Sequence, residues 1–242
     1  LVIGTASANS NVFFNGTIDE VAIWNVSLSS EIIAKHSGYG IDKSIYGNNA
    51  TLMNGTNVNQ TNCKFNECLY LTGVRGGRVA IQNTSMLNFG FGNFTIEAWF
   101  RNRISVPGGV AKDILGKLNG AVDGEAGYIL SIVGVDKLAG YVGSDTQDIT
   151  GATTVTLNEW HHGAFVRESN TTLRLYLDGV LDASVTLGGI RIANSTLPLQ
   201  LGIDGELGST TRWFNGTLDE VAIWNISLSS DKISEHAGAK II

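Results

Sequence analysis

The chain of 242 residues carries 30 glycines against two prolines, 43% apolar residues and only 16% charged ones, a balance that excludes collagen-like and disordered classes and argues against a helical bundle. A single all-β domain of this length buries about 70% of its unfolded surface, so a core can form without a disulfide or a metal. Sixteen basic and 22 acidic side chains give a net charge of -6, which excludes nucleic acid as a partner, and no apolar run is long enough for membrane insertion.

The first segment met along the chain is one that returns. Residues 13 to 30, FFNGTIDEVAIWNVSLSS, recur at 213 to 230 as WFNGTLDEVAIWNISLSS, identical at fifteen of eighteen positions. The three exchanges, Phe13 to Trp213, Ile18 to Leu218 and Val26 to Ile226, are all apolar. Residues 1–40 therefore duplicate the closing strand and helix of a 200-residue repeat, and residues 41–242 form one complete domain. Each copy ends in a serine-initiated helical turn, SLSSEIIAKH and SLSSDKISEH. With neither methionine nor signal segment at Leu1, the sequence reads as a mature or excised part of a secreted protein.

Cys63 and Cys68 follow, with no second pair and no nearby histidines to complete a zinc site. They are expected to close a local disulfide, which contributes roughly 2 kcal/mol in the chain-entropy model and points to an oxidising compartment. Strands are expected at CLYLTG, GRVAIQ, FTIEAWFR, GYILSIVG, KLAGYVG, TVTL, HHGAFVRE, TLRLYLDG, ASVTLG, LPLQLG and DEVAIWN, all short, rich in β-branched and aromatic types and bounded by Gly, Asn and Asp. Leu173, Leu175 and Leu177 alternate onto one face, and Asp178-Gly179 then closes a hairpin that needs positive φ. Many short strands with almost no helix make a sandwich or a barrel.

FTIEAWF at 94 to 100, ILGK at 114 to 117, EWHHGAFV at 159 to 166, LRLYLDGVL at 173 to 181 and FNGTLDEVAIWNISLSS at 214 to 230 stand in this order and at these spacings. Together they resemble the LamG-like, concanavalin A-like lectin-glucanase jelly-roll family over most of residues 42 to 237. The resemblance implies an all-β, two-sheet antiparallel jelly-roll sandwich, six or seven strands to a sheet, with one or two short helical turns. The family usually opens with a strand of the form Trp-x-Phe-Asp, and the sequence is read as lacking it. Residues 1 to 36 then pack against a preceding domain in a tandem chain, their own domain, or a neighbouring subunit that accepts a donated strand. The last arrangement would grow head to tail.

Eleven asparagines, Asn15, Asn25, Asn49, Asn54, Asn59, Asn83, Asn93, Asn170, Asn194, Asn215 and Asn225, stand in N-x-S/T, where chance gives about three or four. They are expected to carry N-linked glycans on an extracellular surface; for Asn54 and Asn15, Asn-Gly-Thr is also good turn chemistry. By the resemblance, a structural calcium ion would take Asp219 with Asp42, and Asp19 would be the copy, unless these carboxylates cap turns.

Catalysis is not expected. Glu97 and Glu220 are the nearest carboxylates to a glucanase pattern, and neither has an alternating partner. His36, His161, His162 and His236 lack metal-ligand spacing. Trp99, Trp160 and the Trp24 and Trp224 pair are expected in the core, and Trp213 beside Arg212 at a packed rim. The leading expectation is a non-catalytic, N-glycosylated extracellular structural subunit or tandem repeat of a surface fibre or adhesin, its partners being copies of itself or adjacent repeats. The alternative is a carbohydrate-binding lectin-type module, calcium-dependent or not, with glycans as its partners.

Overall fold

The computed structural model describes residues 39–40, 48–118, 127–143, 148–190, 194–204 and 211–238. Residues 1–38, with Asn15, Asp19 and Asn25, and Asp42 lie outside that set.

Among the described residues the strands are β1 (Tyr39–Gly40), β2 (Ala50–Met53), β3 (Asn57–Asn59), β4 (Cys68–Thr72), β5 (Arg78–Ile81), β6 (Phe94–Asn102), β7 (Ala111–Gly116), β8 (Tyr128–Val133), β9 (Lys137–Val142), β10 (Asp148–Thr154), β11 (His161–Glu168), β12 (Thr172–Leu177), β13 (Val180–Thr186), β14 (Leu199–Leu201) and β15 (Asn215–Trp224), followed by helix α1 (Ser230–Gly238). They form two antiparallel sheets. One has eight strands in the order β1-β2-β5-β14-β7-β8-β9-β10, and the other seven, in the order β13-β12-β11-β6-β15-β4-β3. This is the expected jelly-roll sandwich. Its last strand in sequence, β15, lies in the middle of its sheet between β6 and β4.

Alternation builds the core. Phe94, Ile96, Ala98 and Phe100 of β6 point inward with Leu173, Leu175 and Leu177 of β12, and meet Tyr128, Leu130 and Ile132 of β8 from the opposite sheet. Gly140 of β9 sets how closely the sheets approach, since a Cβ there would lie 2.5 Å from the Phe165 ring. The two-residue turn between β12 and β13 has positive φ at Asp178 (51°) and Gly179 (80°), as the Asp-Gly pair requires. Helix α1 starts where the Ser229 hydroxyl accepts the Lys232 N–H, and it buries Ile233 against Ala164, Val166 and Tyr176.

Three expectations are corrected. TVTL is not a strand: β10 ends at Thr154, and Val155 turns into the core with its N–H on the Asp136 carbonyl. Trp160 and Trp224 are only partly buried, and Trp99, though buried, faces away from the core. An opening strand does exist, because Tyr39–Gly40 pairs with β2 at the sheet edge. Two residues with a glycine leave no periodicity to read.

Candidate functional site

The outward face of the seven-stranded sheet is closed. Glu97, fully buried on β6, accepts the Trp224 indole N–H at 2.6 Å and lies 2.8 Å from His236 Nδ1 on α1, while His162 Nε2 approaches its other oxygen at 3.3 Å. Beside it Trp99 meets Phe65 edge-on and carries the Lys64 ammonium 3.9 Å above its ring. Lys64 and Phe65 belong to the loop joined by the Cys63–Cys68 disulfide, S–S 2.04 Å. Helix and disulfide loop thus cover this face between them. His161 serves the same sheet, with Nδ1 2.8 Å from Asp178 Oδ2 and Nε2 accepting the Thr156 N–H.

The outward face of the eight-stranded sheet is built differently. Thr51, Ala80, Gln200, Gly116, Ile129 and Tyr141 lie opposite one another across six strands, alternating with core residues such as Val79, Ile81, Leu199, Leu201, Tyr128 and Leu130. Gln200 is 3% exposed and its Oε1 has no hydrogen-bond partner. That is a costly position for an amide oxygen, about 1–3 kcal/mol by the usual measure for an unmade buried hydrogen bond. Next to it Gly116 makes room for Asp204, whose Cβ would be 2.9 Å from a Cβ at Gly116.

Asp204 joins a polar array one row along. Arg212 grips the buried Asp113 through Nε (2.8 Å) and Nη2 (2.9 Å) and reaches Asp204 at 3.2 Å. The Ser131 hydroxyl and the Asp204 N–H also donate to Asp113. Burial pushes the Asp113 carboxyl above its ordinary pKa, against the opposing pull of Arg212 and Ser131. The Arg212 side chain is 26% exposed, so the array reaches solvent through it. Asp113 and Arg212 are 99 positions apart, and no local pattern joins them. The carboxylate of Asp113 in KDILGK and the amide of Gln200 in LPLQLG, each next to strongly apolar residues, are the signal the sequence offers.

Of the proposed calcium ligands only Asp219 lies among the described residues. Its oxygens accept the N–H groups of Phe65 and Glu220, so it clasps the disulfide loop to β15. No cluster of three or more His, Cys, Asp or Glu side chains among the described residues is arranged to hold a metal; the other two expected ligands, Asp42 and Asp19, lie outside the described residues. The sequons spread over the surface. Asn49, Asn54, Asn83, Asn93, Asn170, Asn194 and Asn225 are exposed, whereas Asn59 and Asn215 are half-buried. Asn93, Asn170 and Asn225 gather at one end of the seven-stranded sheet, by the pairing of β6, β11, β12 and β15. No described helix is long and apolar enough to cross a membrane.

Solved structures share the fold. The binding domain of Paraclostridial Mosquitocidal Protein 1 superposes with a TM-score of 0.68 at 17% identity, over 81% of this chain and 48% of its own. The binding domain of botulinum neurotoxin serotype G gives 0.61 at 15% identity, over 82% and 48%. Domain 4 of a GH43 extracellular arabinanase from Geobacillus stearothermophilus, solved with arabinotriose, gives 0.57 at 16% identity, over 76% and 82%. The chain thus spans about half the length of the two toxin binding domains. No curated protein matches the sequence. Nothing in these comparisons supports a fibre subunit. The family described as the concanavalin A-like lectin/glucanases superfamily matches residues 74–234, two thirds of the sequence, and the chain belongs to that family.

Proposed function

We propose that this chain is a non-catalytic, extracellular carbohydrate-binding module that holds an uncharged oligosaccharide against the outward face of the eight-stranded sheet. The observation that carries the reading is the Asp113–Arg212–Asp204 array, which reaches solvent through the partly exposed Arg212 side chain. A sugar hydroxyl donates to one group while accepting from another, so a fixed carboxylate–guanidinium plane with a solvent-facing edge is complementary to it. Two carboxylates share one guanidinium here, which disfavours an anionic sugar.

The family assignment supports the reading, as does arabinotriose in the complex of the arabinanase domain. The Cys63–Cys68 disulfide and the exposed sequons support an extracellular setting. The toxin relatives are binding domains by name, in keeping with a module without chemistry of its own. Glycan-array screening of deglycosylated chain, followed by calorimetric titration with the best neutral oligosaccharide, tests it. Saturable binding that weakens at least about tenfold in Arg212→Lys, which keeps the charge and loses the planar fork of donors, is expected. Binding to no saccharide, or binding indifferent to Arg212 in a folded variant, overturns it.

A further inference from the structure

The contacts that dock β15 and α1 onto the seven-stranded sheet assign a partner to the duplicate copy at residues 13–38. Four side chains make the docking. Trp224 and His236 converge on the buried Glu97, Ile233 is fully buried, and Leu228 packs beside it while its N–H goes to the Thr95 hydroxyl. At an offset of 200 all four recur, as Trp24, Leu28, Ile33 and His36. Asp219, which clasps the disulfide loop, recurs as Asp19. A histidine and a tryptophan twelve residues apart, kept with the apolar anchors between them, form the complement of a buried carboxylate on a sheet face, and solvent exposure alone would not require them.

The slot for such an element in this domain is filled. β15 lies between β6 and β4, and both donors on Glu97 Oε1 come from β15 and α1. A second copy of this chain offers no vacancy either, because it brings its own β15 and α1. The slot is open only in a unit that lacks its own closing element. We propose that residues 13–38 are the closing strand and helix of a preceding unit of the same 200-residue repeat, docked on that unit's equivalent of Glu97, so that each linker between units starts inside the fold of the unit before it. The arrangement is independent of carbohydrate binding.

The test extends the whole chain by its own period: residues 41–200 are placed directly before Leu1, giving two acceptor sheets and two closing elements. Hydrogen exchange followed by mass spectrometry reads residues 13–38 apart from 213–238, because their sequences differ. Exchange across residues 18–36 is expected to slow at least about tenfold relative to the 242-residue chain. Trp24→Ala with His36→Ala should lower the melting temperature of the added domain alone, and Trp224→Ala with His236→Ala that of the original domain alone. Unchanged exchange across residues 18–36, or an added domain whose melting is indifferent to Trp24 and His36, overturns the assignment.

Discussion

Nδ1 of His236 lies 2.8 Å from Oε1 of Glu97, two buried side chains 139 positions apart. The contact fixes the last described helix to the first half of a strand made long before it. Glu97→Ala removes the acceptor shared by His236 and Trp224 and leaves both donors buried. A loss of at least about 2 kcal/mol is expected, about 1–3 kcal/mol for each buried polar group left without its partner. Glu97→Gln keeps an acceptor and should lose less. Urea unfolding of the two variants checks the order, and an alanine variant within 1 kcal/mol of the parent would contradict it.

Gln200 should be a site where a smaller demand for hydrogen bonds stabilises the fold. Leucine is similar in size and has no oxygen to leave unpaired, so Gln200→Leu is expected to raise unfolding stability by about 1 kcal/mol. Urea unfolding gives the comparison, and a variant less stable than the parent would contradict the cost assigned to the buried amide oxygen.

Asp178 sets a pH dependence. Burial opposes its charge, but the His161 hydrogen bond and the His162 N–H outweigh that and hold its carboxyl below the ordinary carboxylate range. A depressed folded pKa contributes stability above the unfolded value of about 3.9, and the contribution is lost as pH falls through the lower folded value. Asp178→Asn should therefore be less stable than the parent at neutral pH, with the gap closing on acidification below about pH 4. Asparagine tolerates the positive φ of this turn, so the backbone is preserved. Thermal melts between neutral and strongly acid pH give the comparison; a gap independent of pH would exclude the linkage.

Glycan occupancy should follow the side-chain amide. Asn215 is half-buried, and its Nδ2 donates to the Thr72 carbonyl at 2.9 Å, while the Thr217 of its sequon is buried. Site mapping of material secreted from a glycosylating host is expected to find sugar at exposed positions such as Asn54, Asn83 and Asn225 and none at Asn215. Full occupancy of Asn215 would mean that the hydrogen bond to Thr72 is dispensable.

Local chemistry was legible and remote chemistry was not. The inward leucines of β12 and the Asp178–Gly179 turn could be read because alternation and turn geometry act over a few residues. β10, with the sequence DITGATT and one strongly apolar side chain, offers no such pattern and is recognised only through its pairing with β9. The candidate site assembles Asp113, Gln200, Asp204 and Arg212 from three separate segments. Each is readable as an outward polar position, but their meeting depends on strand order. Trp224 shows the opposite failure: its apolar strand suggested the core, whereas its N–H required a partner on the outer face.

The central place of β15 also governs how the chain must be made. β4 and β6 are both complete by residue 102, yet the strand that joins them ends at Trp224. A nascent polypeptide therefore holds two unpaired inner edges through the synthesis of more than a hundred residues, and contacts this distant in sequence form slowly. In an array of repeats, each emerging unit would wait beside a nearly identical closing segment left by the unit before it. Fifteen shared positions in eighteen then favour mispairing as much as assembly, and the order in which segments leave the ribosome decides which sheet each one joins.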